Sequence, residues 1–196
     1  MGLTERFERA LIYGTRLHSE QIRKGTNTPY ISHLLAVVSI VMENGGDENE
    51  VIAAFLHDAV EDQGGQGVLD DIRAKFGEQV ANIVAGCTDA WTEPKPPWCE
   101  RKEEYIAHLN GGVTSSVLLV SSADKLHNAR TILSDYRKLS DSLWTRFKGG
   151  KEGVLWYYRA LTNTYQHLNA NSSIVDELDR VVTSIETLAR TDGRYQ

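Results

Sequence analysis

The stretch Val51-Ile-Ala-Ala-Phe-Leu-His-Asp-Ala-Val-Glu-Asp62 runs from six apolar residues into four ionisable ones within six positions. An α-helix turns about 100° per residue, so a continuous helix sets His57 in line with Glu61 and Asp58 in line with Asp62. Three carboxylates this close repel one another. The apolar half before them marks the segment for burial, where unpaired charge is costly. A solvated polar helix end is the ordinary reading of a His-Asp pair. Here a divalent cation held by His57 and Asp58 resolves the conflict better, and it leaves Glu61 and Asp62 free for proton transfer. The question is then whether the rest of the chain supplies more ligands.

The 196 residues suffice for one well-buried core. At 41% hydrophobic and 24% charged, the composition is that of an ordinary globular protein. No apolar run approaches the roughly 18 residues of a membrane span, and the first residues carry neither a signal-peptide nor a myristoylation pattern. Cys87 and Cys99 are too few for a disulfide framework or a Cys-x-x-Cys metal site. A cytoplasmic protein with reduced thiols is expected. The net charge of −6, with no basic stripe against it, argues against a nucleic-acid partner.

The periodicity along the chain is helical throughout. Residues 4–22 read as a helix with Thr4 as N-cap, followed by a Gly-, Asn- and Pro-bearing loop over 23–30. A second helix spans about 32–44, with His33 in its first turn. Asp47 then caps the central helix, and Glu50 completes a capping box. Two short helices over 68–76 and 78–90 hinge at Gly77. The proline-rich stretch 91–97 reads as an ordered loop, and 98–110 as a helix stopped by Gly111-Gly112. Val117 to Val120 has the composition of a buried strand, but the pattern continues through Leu126, Ala129 and Leu133, so a long buried helix is preferred. After a short segment at Leu143-Trp144, helices are expected over about 151–168 and 174–189. No repeat or composition shift marks a second domain, so 1–196 is read as one all-α domain of about eight to ten helices.

Asp124 is the most informative residue outside the central segment. It follows Leu-Leu-Val-Ser-Ser-Ala in an apolar helix, where a lone carboxylate is costly. Lys125 is not expected to satisfy it, because adjacent helix residues point in different directions. With His33, His57 and Asp58 it makes a mixed imidazole and carboxylate set of the kind zinc, manganese and iron accept. The other histidines carry blander expectations. His127 reads as a helix hydrogen-bonding residue, and His18, His108 and His167 as packing or surface residues. Trp156, Tyr157 and Tyr158 read as core aromatics, and Lys148 and Lys151 as part of a solvated turn.

Three runs, in this order, carry a resemblance. They are Arg23-Lys24-Gly-Thr-x-x-Pro29-Tyr30-Ile-x-His33, His57-Asp58-x-x-Glu61-Asp62, and Ala123-Asp124-Lys125-Leu126-His127-Asn128-x-Arg130-Thr131. The pattern is similar to that of the HD-domain metal-dependent phosphohydrolases. More narrowly it resembles the hydrolase domain of the RelA/SpoT enzymes and the stand-alone small alarmone hydrolases (Mesh1-like). The runs cover a core of about 18–131, leaving helices over about 139–192. The resemblance implies an HD-domain helical bundle with one Mn²⁺, or another divalent ion, held by His33, His57, Asp58 and Asp124. It implies Glu61 and Asp62 as the acid/base pair around the attacking water, Arg23 and Lys24 against the nucleotide's phosphates, and Asn128 and Thr131 against its base or sugar. The implied reaction removes the 3′-pyrophosphate of guanosine tetra- or pentaphosphate.

The sequence departs from the family's pattern in three places. Leu34 stands where proline is usual, the loop between Lys24 and Pro29 is one residue longer, and Ser121-Ser122 replace a usual Lys-Leu. A synthetase domain has no room in these 196 residues, so degradation alone is expected. Hydrolysis of another nucleotide or of NADPH is the rival reading. A non-catalytic nucleotide-binding HD domain is a third, although no ligand or acid is lost. The oligomeric state, a homo-oligomer included, stays open.

Overall fold

The computed structural model describes residues 2–91 and 94–192. They form ten α-helices and one 3₁₀ segment: α1 (Glu5–Leu17), α2 (Ile31–Glu43), α3 (Glu48–Leu56), α4 (Ala59–Gln63), α5 (Gly65–Phe76), α6 (Glu78–Cys87), α7 (Trp98–Asn110), α8 (Ser115–Leu139), the 3₁₀ turn Ser140–Arg146, α9 (Gly150–His167) and α10 (Ser172–Asp192). Among the described residues the β structure is a lone bridge between Ile22 and Pro29. None of the described helices is long and apolar enough to cross a membrane.

α8 is the axis of the fold. It packs against α2, α3, α6, α9 and α10, and Val117, Val120, Ala123, Leu126 and Ala129 along it are buried. Thr114 starts it, its hydroxyl accepting from the Val117 N–H. The strand-like composition of Val117–Val120 is thus overridden by helical neighbours on several sides.

The caps read from sequence recur. Thr4 Oγ1 accepts from the Arg6 N–H at 3.2 Å. Asp47 and Glu50 form the expected capping box on α3. Glu48 accepts from Thr4 N, Thr4 Oγ1 and Arg6, which ties α1 to α3.

Several boundaries differ from expectation, each for a local reason. α1 stops at Leu17 rather than 22, because His18 turns inward onto Gln21 (Nδ1 to Oε1, 2.6 Å) and the chain folds back on itself. That return is closed by Arg23 N–H to Thr28 O and Tyr30 N–H to Gln21 O, both 2.8 Å. α5 begins at Gly65 rather than 68, since Gly64 (φ +154°) and Gly65 (φ +57°) make a turn that a side chain would strain. α6 ends at Cys87 rather than 90, where Thr88 turns extended and its hydroxyl bonds the Val84 carbonyl. Residues 92 and 93 of the proline-rich loop lie outside the described residues.

The central segment needs the largest correction. It is not one helix to Asp62: α3 ends at Leu56, His57 and Asp58 form a turn, and α4 follows. His57 Nδ1 lies 2.8 Å from the Ala54 carbonyl and can only donate to it, so a side chain occupies an acceptor of the backbone ladder. Both turn residues keep near-helical angles, and Asp62 N still bonds Asp58 O at 3.0 Å. The four ionisable groups therefore emerge together, but not on the two straight lines of an ideal helix.

Candidate metal centre and nucleotide cleft

Three buried elements converge on one point. His33 comes from the first turn of α2, His57 and Asp58 from the break between α3 and α4, and Asp124 from the middle of α8. His57 Nε2 lies 3.0 Å from Asp58 Oδ2 and 3.6 Å from Asp124 Oδ1. His33 Nε2 lies 3.4 Å and 3.2 Å from the same two atoms. Among the described residues both Nε2 atoms are buried without a hydrogen-bond partner. Each ring is oriented through its other nitrogen, His57 Nδ1 on Ala54 O and His33 Nδ1 on His127 Nδ1 at 2.7 Å.

Two buried imidazole nitrogens lacking partners, facing two carboxylate oxygens, form the donor set a divalent ion accepts. His33, His57 and Asp58 alone bring three ligand atoms within 4.8 Å of one another. Asp124 adds an oxygen beside them. The electrostatics call for a cation: burial opposes charge on all three groups, yet His57 is raised well above an ordinary imidazole by Asp58 and Asp124. Asp58 is held well below the usual carboxylate range by the two histidines, and Asp124 by Lys125 and the same pair.

Asp124 also corrects the expectation about Lys125. Lys125 Nζ donates to Asp124 Oδ2 at 2.6 Å, and Asn128 Nδ2 donates to Oδ1 at 2.5 Å. The Cα directions of adjacent residues diverge, but a four-carbon lysine stem curls back far enough to close the pair. The departure at Ser121-Ser122 is accommodated below it, where Ser121 Oγ joins Tyr105 Oη (2.6 Å) and Tyr165 Oη (2.5 Å).

Glu61 and Asp62 are not free, as sequence reasoning had them. Lys95 Nζ donates to Glu61 at 2.8 Å and sits 3.3 Å from Asp62, which also accepts from Gln21 at 2.9 Å. Arg101 reaches Glu61 at 3.4 Å and also donates to Asp89, whose second oxygen takes Lys102. Glu61 and Asp89 share a side-chain hydrogen bond that pushes their pKa values apart. Burial and then Asp89 push Glu61 up to about 7, although Lys95 opposes the shift. Asp89, although buried, is pulled down to about 2 by Lys102 and Glu61.

This pair has a consequence for stability. Between pH 4.5 and about 7 folded Glu61 keeps a proton that the unfolded chain has released. Stability from this group therefore falls as pH rises through that window. In metal-free protein, Glu61→Gln should remove that slope. The stability difference between the variant and the parent should change by about 1 kcal/mol or more between pH 5 and pH 8, favouring the variant at the higher pH. Urea unfolding at the two pH values checks this, and a difference independent of pH would contradict it.

The four residues expected against a nucleotide are brought together. A cavity of about 250 Å³ is lined by Arg23, Lys24, Tyr30, Asn128, Thr131 and Arg146 among others. Arg23 Nη2 donates to Asn128 Oδ1 at 2.7 Å and stacks over the Tyr30 ring at 5.5 Å. Tyr30 Oη donates to Asp58 Oδ2 at 2.6 Å, which joins the cavity to the cluster. The longer loop is seated by Gly25 (φ +73°), against which the Arg146 guanidinium packs. Thr131 Oγ1 is turned to the His127 carbonyl. Tyr158 is the one aromatic of its run that lines this cavity, and Tyr157 is buried. A larger cavity, about 700 Å³, opens between α6, α7 and the start of α8 and touches none of the cluster. Converging charge locates the site better than size does.

Sequence reasoning missed Lys95, Arg101, Asp89 and Arg146, which sit at no informative spacing from the motifs. It also understated His127, whose ring meets His33 rather than only its own helix. Burial, His33 and Arg23 lower His127 to about 4, so it is uncharged at neutral pH. His18 is a packing residue as expected, buried and stacked on Tyr30. His108 bonds the Gly86 carbonyl, and Lys151 is tied to Asp141 and the Ala189 carbonyl.

A family model described as HD domain matches residues 10–155. The guanosine-3′,5′-bis(diphosphate) 3′-pyrophosphohydrolase MESH1 of Xenopus tropicalis is 32% identical over 84% of this chain and 85% of its own length. A probable guanosine-3′,5′-bis(diphosphate) 3′-pyrophosphohydrolase of Synechocystis is 36% identical over 63% of this chain, but the match spans only 16% of that longer protein. Among solved structures, one described as a metazoan ortholog of SpoT that hydrolyzes ppGpp superposes with a TM-score of 0.76 over 92% of this chain and 96% of its own. At 24% identity that match speaks for the fold. The Listeria monocytogenes EGD-e protein lmo0812 matches at 34% identity and a TM-score of 0.66, over 82% of this chain and 99% of its own.

Proposed function

The chain belongs to the HD-domain family, and on that footing we propose that it removes the 3′-pyrophosphate of guanosine tetra- or pentaphosphate, giving GDP or GTP and pyrophosphate. The observation that carries the reading is the junction of the two half-sites: Tyr30 lines the cationic cavity and donates to Asp58 of the His/Asp cluster. A nucleotide held in that cavity has phosphates within reach of the cluster.

His33, His57, Asp58 and Asp124 would hold one divalent ion, with Mn²⁺ as the proposed identity. When bound, such an ion lowers the pKa of a water and polarises a phosphoryl oxygen. Glu61 and Asp62 handle the protons. One carboxylate accepts the proton of the attacking water as its oxygen bonds to the phosphorus on the 3′-oxygen. The other, as the acid, protonates the departing 3′-oxygen, so charge and atoms balance. A group poised near pH 7, as Glu61 is, suits either role. Arg23 and Lys24 neutralise phosphate charge, which an acidic protein must supply locally. Asn128 and Thr131 serve the base or sugar. The same proposal takes the 196 residues as a single unit acting on a small nucleotide in the cytoplasm.

A panel of substrates tests it. With Mn²⁺, guanosine tetraphosphate should be hydrolysed faster than nucleoside monophosphates, because contacts remote from the reacting phosphorus drive the chemical step. Faster cleavage of a monophosphate, or of NADPH with release of orthophosphate, would replace the alarmone reading with a broader phosphohydrolase.

A further inference from the structure

His33 is completely buried, and its two ring nitrogens have different surroundings. Nε2 faces Asp58 and Asp124 without an aligned hydrogen-bond partner, whereas Nδ1 sits 2.7 Å from Nδ1 of His127. Two imidazole nitrogens at that distance share one proton: one ring donates and the other accepts. If His127 donated, a neutral His33 would carry its proton on Nε2, pointing it into the space between the carboxylates. The lone pair a metal needs would then be turned away.

We propose that His127 is a positioning residue whose Nδ1 accepts the proton of His33 Nδ1 and so holds His33 in the tautomer that leaves Nε2 bare toward the cluster. The inference rests on the reading of His33 as a metal ligand. The His127 Nδ1 faces that of His33 at 2.7 Å, placed to serve as the acceptor of this bond. Its placement is fixed by the fold: it lies on α8 one turn beyond Asp124, and its carbonyl is held by Thr131 Oγ1 at 3.0 Å. One helix thus carries a carboxylate of the cluster, the residue that sets the tautomer of an opposing histidine, and four residues that line the cationic cavity. His57 needs no such partner, since the Ala54 carbonyl performs the same task for its Nδ1.

The test uses Mn²⁺ alone as the probe, on the full chain, with His127→Leu, His127→Asn and His33→Ala. His127→Leu removes the acceptor and should weaken Mn²⁺ binding by about 10- to 100-fold. His127→Asn can present its side-chain oxygen in place of Nδ1 and should restore much of that loss. Nitrogen-15 shifts of the metal-free wild type should show His33 protonated at Nδ1. In His127→Leu they should show a mixture of tautomers. Wild-type affinity in His127→Leu, or His33 protonated at Nε2 in the wild type, would overturn the proposal. The wild-type spectrum decides even if His127→Leu fails to fold. Undiminished binding by His33→Ala would instead remove the metal-ligand reading itself, so the two failures are distinguishable.

Discussion

Asp124→Ala is expected to lose its divalent ion and, over and above that loss, several kcal/mol of stability with chelator present. The metal loss follows from the converging geometry, in which Asp124 Oδ1 lies 3.2 Å and 3.6 Å from the two imidazole Nε2 atoms. The extra instability follows from Lys125. Its ammonium is buried against Asp124 Oδ2, and burial alone would disfavour its charge. Removing one partner of a buried ion pair strands the other, at a cost of about 3–5 kcal/mol. His57→Ala leaves that lysine paired and instead takes a charged partner from Asp58 and Asp124. Elemental analysis of both purified variants, with urea unfolding in chelator, checks the pair. Retained metal in both would sink the cluster as a metal site. Parent-like stability of Asp124→Ala in chelator would show that Lys125 finds another partner.

Glu61→Gln is expected to lower turnover by about 10²-fold or more while metal content stays that of the parent. Glutamine keeps an oxygen for Lys95 and Arg101 but can neither take up nor deliver the proton. Among the described residues Glu61 makes no hydrogen bond or ion pair with His33 or His57, and its repulsion of Asp58 ranks behind burial and Asp89, so the ion should be retained. Steady-state kinetics with metal analysis on the same sample separates the two. Undiminished turnover would take Glu61 out of the mechanism, and lost metal would make it a ligand or a support for one.

The His/Asp cluster was legible because its residues are the expensive ones to bury. His57-Asp58 after six apolar residues, and Asp124 in an apolar helix, each raise a charge problem that no local partner obviously solves. α8 was legible for a similar reason: its periodicity runs past the β-branched stretch into Leu126 and Ala129, and period outweighs composition. What stayed hidden is set by side-chain reach and long-range folding. The break at His57 depends on one imidazole taking the Ala54 carbonyl, which no periodicity reveals. The Asp124–Lys125 bridge depends on a flexible stem curling against the direction of its own Cβ. Lys95, Arg101 and Asp89 meet Glu61 only because the segment after α6 and the start of α7 come to rest beside α4. Arg146 enters the cationic cavity from a 3₁₀ turn beyond the last motif.

The central claim is that the His/Asp cluster and the cationic cavity act on one substrate at one bond. Phosphorus NMR of guanosine tetraphosphate turnover by the Mn²⁺-loaded protein in ¹⁸O-enriched water tests it most directly. Cleavage between the 3′-oxygen and its phosphorus should give pyrophosphate carrying the water oxygen, together with unlabelled GDP. Release of orthophosphate, or loss of phosphate from the 5′ side, would contradict the account.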